Sequence, residues 1–360
     1  MVAMDLSTWQ GMRTRDPRRL TLGSAQWGMP YGIANRHGQP GDEELGAILA
    51  RAAAVGITSI DTARAYGESE TRIGDVLRDD DGDLTGSTAH GWRIITKLAP
   101  DVHAEGLDIG ETLDRVAKSL EDSRSALGFE ALPTLLLHRF AHRHACGGRL
   151  WRSLLAEREA GRIHSLGISA ATPEEAWAAL EDPDIEVLQV ASSLLDLRLY
   201  RQGFFPRARE LGRTIYVRSI FLQGIAHLEP DTLPPSLRDL IEPMRTISVL
   251  AAKLDVAPRA LYLAFAREIP GAHPVLGCET DAQLESLLED WESDKIDAAA
   301  MTQLVESLPT LEAEVVDPSK WGDTRIEHRD GGAAIGNQTE TASVATATIG
   351  GLGTIDTMRV

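Results

Sequence analysis

The chain has 360 residues, 43% hydrophobic and 25% charged. That is the composition of a globular protein, and every apolar run is too short to span a bilayer. Its 36 Lys and Arg against 54 Asp and Glu give a formal charge of −18, a field that repels phosphate backbones and argues against nucleic acid as a partner. Two cysteines, Cys146 and Cys278, are too few for a disulfide framework, and the first residues lack a signal-peptide core, so a cytoplasmic location is expected.

In chain order, residues 1–17 read as a poorly ordered lead-in. Strand-like apolar runs then recur at 20–25, 57–61, 93–97, 134–138, 163–169, 186–190, 214–219 and 274–277. Between them lie stretches with helical spacing at 43–55, 70–77, 109–127, 150–159, 173–180, 204–211, 237–253 and 257–267, and a further helix opens at Asp281. Alternating strands and helices imply a parallel sheet with helical crossovers. Eight such units over residues 18–316 match a single α/β domain, the (β/α)8 TIM barrel with loop insertions. A doubly wound sheet is the rival, but its Gly-rich first turn matches GSAQWGMPYG poorly. Beyond Asp317-Pro318 the chain turns rich in Gly, Thr and Ala and loses its helical stripe. Residues 317–360 read as a disordered C-terminal tail, dispensable for catalysis. The alternative is a hairpin in which TASVATATI and TIDTMRV flank GGLG.

Barrel active sites lie at the carboxyl ends of the strands. Asp61, Lys97 and His138 end three consecutive strand-like runs, 36 and 41 residues apart, and Tyr66 follows Asp61 by five residues. A carboxylate, an ammonium, a phenol and an imidazole are thus expected on one rim. Taken singly, Asp61 reads as a cap, Lys97 as a strand-end cation, Tyr66 as a loop aromatic and His138 as a buried histidine. Their coincidence at matched strand ends is what points to chemistry.

DTARAYGESETRIG resembles the Asp-Thr-Ala-x-x-Tyr-Gly-x-Ser-Glu signature of the aldo/keto reductases, with Lys97 and His138 completing that family's tetrad in order and spacing. The resemblance runs over residues 20–308, and LGSAQWGMPYGIANRHGQP looks like a bacterial branch of the family. It implies an NAD(P)(H)-dependent oxidoreductase for a small carbonyl or alcohol, with hydride delivered from the nicotinamide while Tyr66 protonates the oxygen. Asp61 would hold Lys97 charged, and His138 would orient the substrate oxygen. Moving a phenol from a pKa of about 10 toward 7 takes about 4 kcal/mol. An ammonium at ~4 Å supplies that at an effective dielectric of about 20.

The resemblance also implies cofactor contacts. Ser169 and Gln189 match residues at the nicotinamide carboxamide, with Ala170 where many relatives have Asn. Ser219 matches a residue near the pyrophosphate, and Arg218 replaces the ring-stacking tyrosine. Gly277, Thr280 and Gln283 fit the phosphate and adenine site, Leu287 stands where relatives have Asn, and Glu279 stands where NADPH-preferring relatives carry a cation. NADH is therefore expected to serve at least as well as NADPH.

Other clusters read as structural. His138, His142, His144 and Cys146 lack paired metal-ligand spacing and suggest a basic loop. Cys278 reads as a small apolar filler, residues 79–83 as a solvated acidic loop, and DTLPP as a loop insert. Two other functions compete: a cofactor-sensing regulatory subunit, like the potassium-channel β subunits that resemble this family, and a barrel lyase or isomerase using Lys97 as a Schiff base. Asp61 and Tyr66 beside Lys97 favour a charged lysine over a nucleophile.

Overall fold

The computed structural model describes residues 15–35, 37–78 and 91–321. Eight parallel strands close into a barrel in chain order: β1 (Thr21–Gly23), β2 (Ser59–Asp61), β3 (Arg93–Lys97), β4 (Leu132–Leu137), β5 (Ile163–Ser169), β6 (Val187–Ala191), β7 (Thr214–Arg218) and β8 (Ala272–Gly277). Closure pairs Gly23 with Asp61 on one side and with Gly277 on the other. It therefore brings the first and last predicted site segments together. The expected barrel is present, and the doubly wound alternative is not.

The helices form the outer ring because each buries one apolar stripe against the strands. Ile109–Leu127, the longest among the described residues, starts at a reciprocal Asp108–Glu111 capping box and stops at left-handed Gly128, burying Val116, Leu120 and Leu127. Inside the barrel, Ile95, Leu136, Val187 and Tyr216 form a separate apolar plug beneath the site.

Several boundaries move. The first predicted strand stops at Gly23, its last residue Ala25 opening a helical turn, Ala25–Gly28, and β4 ends at Leu137, leaving His138 as the first residue past it. In Ala145–Glu159, Cys146, Gly147 and Gly148 are left-handed, so regular helix begins near the expected residue 150. The predicted helix at 237–253 divides into a 3-10 segment, Pro235–Leu240, and the helix Ile241–Leu254, where Pro243 sits near the start. A helix not predicted, Ala298–Ser307, is capped by Asp297 and buries Met301, Leu304 and Val305. The expected tail begins with an ordered turn, Pro318–Lys320, followed by buried Trp321, whose Nε1 donates to the Val315 carbonyl at 3.0 Å. The start of that segment thus joins the buried apolar core through Trp321. Residues 1–14, the acidic run 79–83 and residues 322–360 lie outside the described residues.

Candidate active site

Asp61 ends β2, Lys97 ends β3 and Ser169 ends β5, so three strands set three side chains at one mouth. Lys97 is buried and donates to both Asp61 oxygens, at 2.8 and 2.9 Å, and to the Thr62 carbonyl at 2.9 Å. Its fourth contact is the Tyr66 hydroxyl, 3.2 Å away. Burial pushes the Lys97 ammonium below its ordinary range, and the Asp61 carboxylate opposes that shift.

Tyr66 reaches the lysine because the loop after β2 folds tightly against the loop after β1. A side chain on Gly28 would overlap the Tyr66 carbonyl, and Gly67, at φ 57°, lies against the Gly28 carbonyl. Only glycine permits both features. The rest of the signature locks this loop. Ser69 donates to the Ser24 hydroxyl at 2.6 Å, and Thr62 donates to Ser69 at 3.1 Å. Buried Glu70 accepts from Thr96 at 2.5 Å and pairs with Arg64. Thr62, Ser69 and Glu70 were given no role from the sequence, although the signature itself contains them.

His138 meets the Tyr66 ring edge-on at 6.1 Å. Burial, with the Lys97 and Arg218 charges, lowers its pKa to about 3, and its Nδ1 is buried without a hydrogen-bond partner. It is a neutral imidazole at physiological pH. Ser169 and Gln189 pair in register across β5 and β6. Ser169 donates to Gln189 Oε1 at 3.2 Å, and Gln189 Nε2 donates to Asp61 at 2.6 Å. Expected at the carboxamide, the pair is tied into the tetrad in this structure.

The remaining predicted residues line a cleft of about 570 Å³ that starts at Asp61 and Tyr66, a size suited to a small molecule or cofactor. Arg218 lines it, donating to the Ala170 carbonyl and the Ser219 hydroxyl, both at 3.1 Å. Ser219, Leu222 and Gln223 in the following loop all have positive φ, at 63°, 46° and 54°. Such strain in non-glycine residues concentrates at ligand sites. From β8, Gly277 abuts the Gln26 side chain, where a Cβ would collide. Thr280 caps the helix Asp281–Glu292 by accepting from the Gln283 N–H at 3.1 Å. Gln283 accepts from the Glu279 N–H at 2.7 Å. Burial pushes the Glu279 carboxyl up, with Gln283 and the His37 charge pulling it back.

Tyr31, in the loop after β1, is a cleft residue given no role from the sequence. Burial pushes its phenol up, while the Arg218 and Lys97 charges pull it back. Nothing in local spacing marks it, since three loops must close before it faces the tetrad. Cys278 is buried, and its thiol is pushed well up by that burial. His142 packs against His103, and Cys146 lies 3.8 Å from His103 Nδ1. Among the described residues no three His, Cys, Asp or Glu side chains gather as metal ligands, and no helix is long and apolar enough to cross a membrane.

A barrel with a buried lysine-carboxylate pair beside a tyrosine opens into a cleft of about 570 Å³. The aldo/keto reductase family model matches residues 19–309. The chain belongs to the aldo/keto reductase family and is an oxidoreductase. Among solved structures it resembles an aldo-keto reductase from Bacillus halodurans in its holo form, with 17% identity and TM-score 0.61 over 81% of this chain and 93% of that one. It also resembles the glycerol dehydrogenase of Gluconobacter oxydans, with 20% identity and TM-score 0.60 over 80% and 90%. At such identities these likenesses speak to the fold. No curated protein matches the chain.

Proposed function

We propose that the protein interconverts a small carbonyl compound (aldehyde, ketone or sugar-derived) and its alcohol, with NAD(P)(H) as cofactor and Tyr66 as general acid and base. The observation that carries this reading is the Lys97 ammonium, 3.2 Å from the Tyr66 hydroxyl and anchored on Asp61. The cleft has room for a dinucleotide: it includes Asp61 and Tyr66 of the tetrad and is lined by Arg218, Ser219, Gly277, Glu279, Thr280 and Gln283. When bound, the nicotinamide supplies or accepts the hydride at the carbonyl carbon.

In reduction, Tyr66 gives its proton to the carbonyl oxygen, and the Lys97 charge stabilises the phenolate left behind. Asp61 keeps that charge in place, and its bond from Gln189 fixes the carboxylate. Neutral His138 donates to the substrate oxygen and sets its angle without competing for the transferred proton. In oxidation the same proton returns to Tyr66. An ammonium already bonded to a carboxylate is poorly suited to Schiff-base chemistry, which disfavours the lyase alternative. Two free cysteines, one of them buried, suit a reducing cytoplasmic setting.

The test is nicotinamide fluorescence quenching, followed by turnover on a panel of aldehydes, ketones and sugars with each cofactor. Tyr66→Phe is expected to bind cofactor nearly as the wild type does while kcat falls at least ~100-fold. Wild-type turnover in that variant would remove Tyr66 from the role. Cofactor binding without any turnover would favour the regulatory-subunit alternative.

A further inference from the structure

Among the described residues the cleft is lined by two cationic side chains, and only Arg218 is expected from the sequence. The second is Arg259, near the start of the helix Pro258–Glu268. The two serve different ends. The Arg218 charge acts on Tyr31, Lys97 and His138, whereas the Arg259 charge acts on His227. Arg259 is held against the helix Asp281–Glu292 that follows β8. Its Nε donates to Asp290 at 2.5 Å, while its side chain remains 34% exposed. That single anchor fixes the guanidinium plane and leaves the two Nη groups for another partner. Ser286 and Leu287, on the helix that carries Asp290, line the same cleft.

We propose that Arg259 holds the adenine of the bound dinucleotide by stacking its guanidinium on the purine. The inference rests on the oxidoreductase reading, because a dinucleotide with its nicotinamide at the tetrad must send its adenosine to the opposite end of the cleft. Leu287 supplies apolar surface there. A planar cation held flat by a carboxylate is suited to a heteroaromatic face, whereas a lysine at the same place is a point charge.

Arg259→Ala and Arg259→Lys test this by titration with NADH, NADPH, AMP and nicotinamide mononucleotide. The lysine variant keeps a cation for Asp290, so folding is preserved in at least one arm. In both variants the Kd values for NADH, NADPH and AMP are expected to rise together, about tenfold. Binding of nicotinamide mononucleotide should not move. Unchanged AMP and dinucleotide affinities would overturn the proposal, as would full rescue by lysine. A loss confined to NADPH would also overturn it, by making Arg259 a 2′-phosphate contact. If the wild type binds neither dinucleotide, the oxidoreductase reading itself fails, an outcome visible before any variant is made.

Discussion

The two ends of the cleft are built differently. At the catalytic end, Asp61, Lys97, Tyr66, Gln189 and Ser169 form one connected set of hydrogen bonds carried on or just beyond four strands. At the far end, Glu279, Gln283 and Arg259 bond to neighbours on helices and loops, and Arg259 stays one-third exposed. The chemistry needs charge aimed in advance at one oxygen, which rigid strands and water exclusion provide. Recognition of the cofactor's remote half needs only complementary surface. On the proposed reading it can therefore change without disturbing the tetrad.

The sharpest way to break this contrast is to remove one carboxylate from each end. Asp61→Ala strands a Lys97 that is 1% exposed, and breaking such a buried pair is expected to cost about 3–5 kcal/mol in urea unfolding. Asp290→Ala leaves Arg259 able to reach water and should cost about 1 kcal/mol or less. Equal losses would mean that the two ends are equally buried in energetic terms.

Acid should also weaken the fold through its buried histidines. His142, in the turn Phe140–Arg143 after β4, is buried, and burial lowers its pKa to about 4. Between that value and 6.5 the unfolded chain binds a proton that the folded chain refuses, so stability falls as the pH drops through this window. From pH 6.5 to 5 the wild type should lose about 2 kcal/mol more than His142→Gln. Parallel pH profiles for the two proteins would place the acid sensitivity elsewhere.

The smallest effect belongs to cofactor choice. Wild type is expected to bind NADH at least as tightly as NADPH, because a carboxylate accepts from a ribose 2′-hydroxyl and repels a 2′-phosphate. Glu279→Arg should shift the ratio of the two Kd values about tenfold toward NADPH, less than bare Coulomb repulsion implies, because solvent and salt screen the contact. A wild type that prefers NADPH tenfold would show that Glu279 does not face the ribose.

Local chemistry in the sequence determined the eight strand–helix units, because apolar periodicity and caps such as Asp108 act within a few residues of themselves. It also marked Asp61, Tyr66, Lys97 and His138, since strand ends one βα unit apart must share a rim. The helix Ala298–Ser307 was legible in the spacing of Met301, Leu304 and Val305 but fell beyond the eight units that completed the pattern. Tertiary closure alone decided the rest. Gly28 admits Tyr66 only once two loops meet, Gln189 turns to Asp61 because their strands face each other across the barrel, and Arg259 enters the cleft from a helix far from any motif. Contacts between residues more than a hundred positions apart depend on the barrel's closure and on loop paths, and neither has a periodicity that a linear reading can detect.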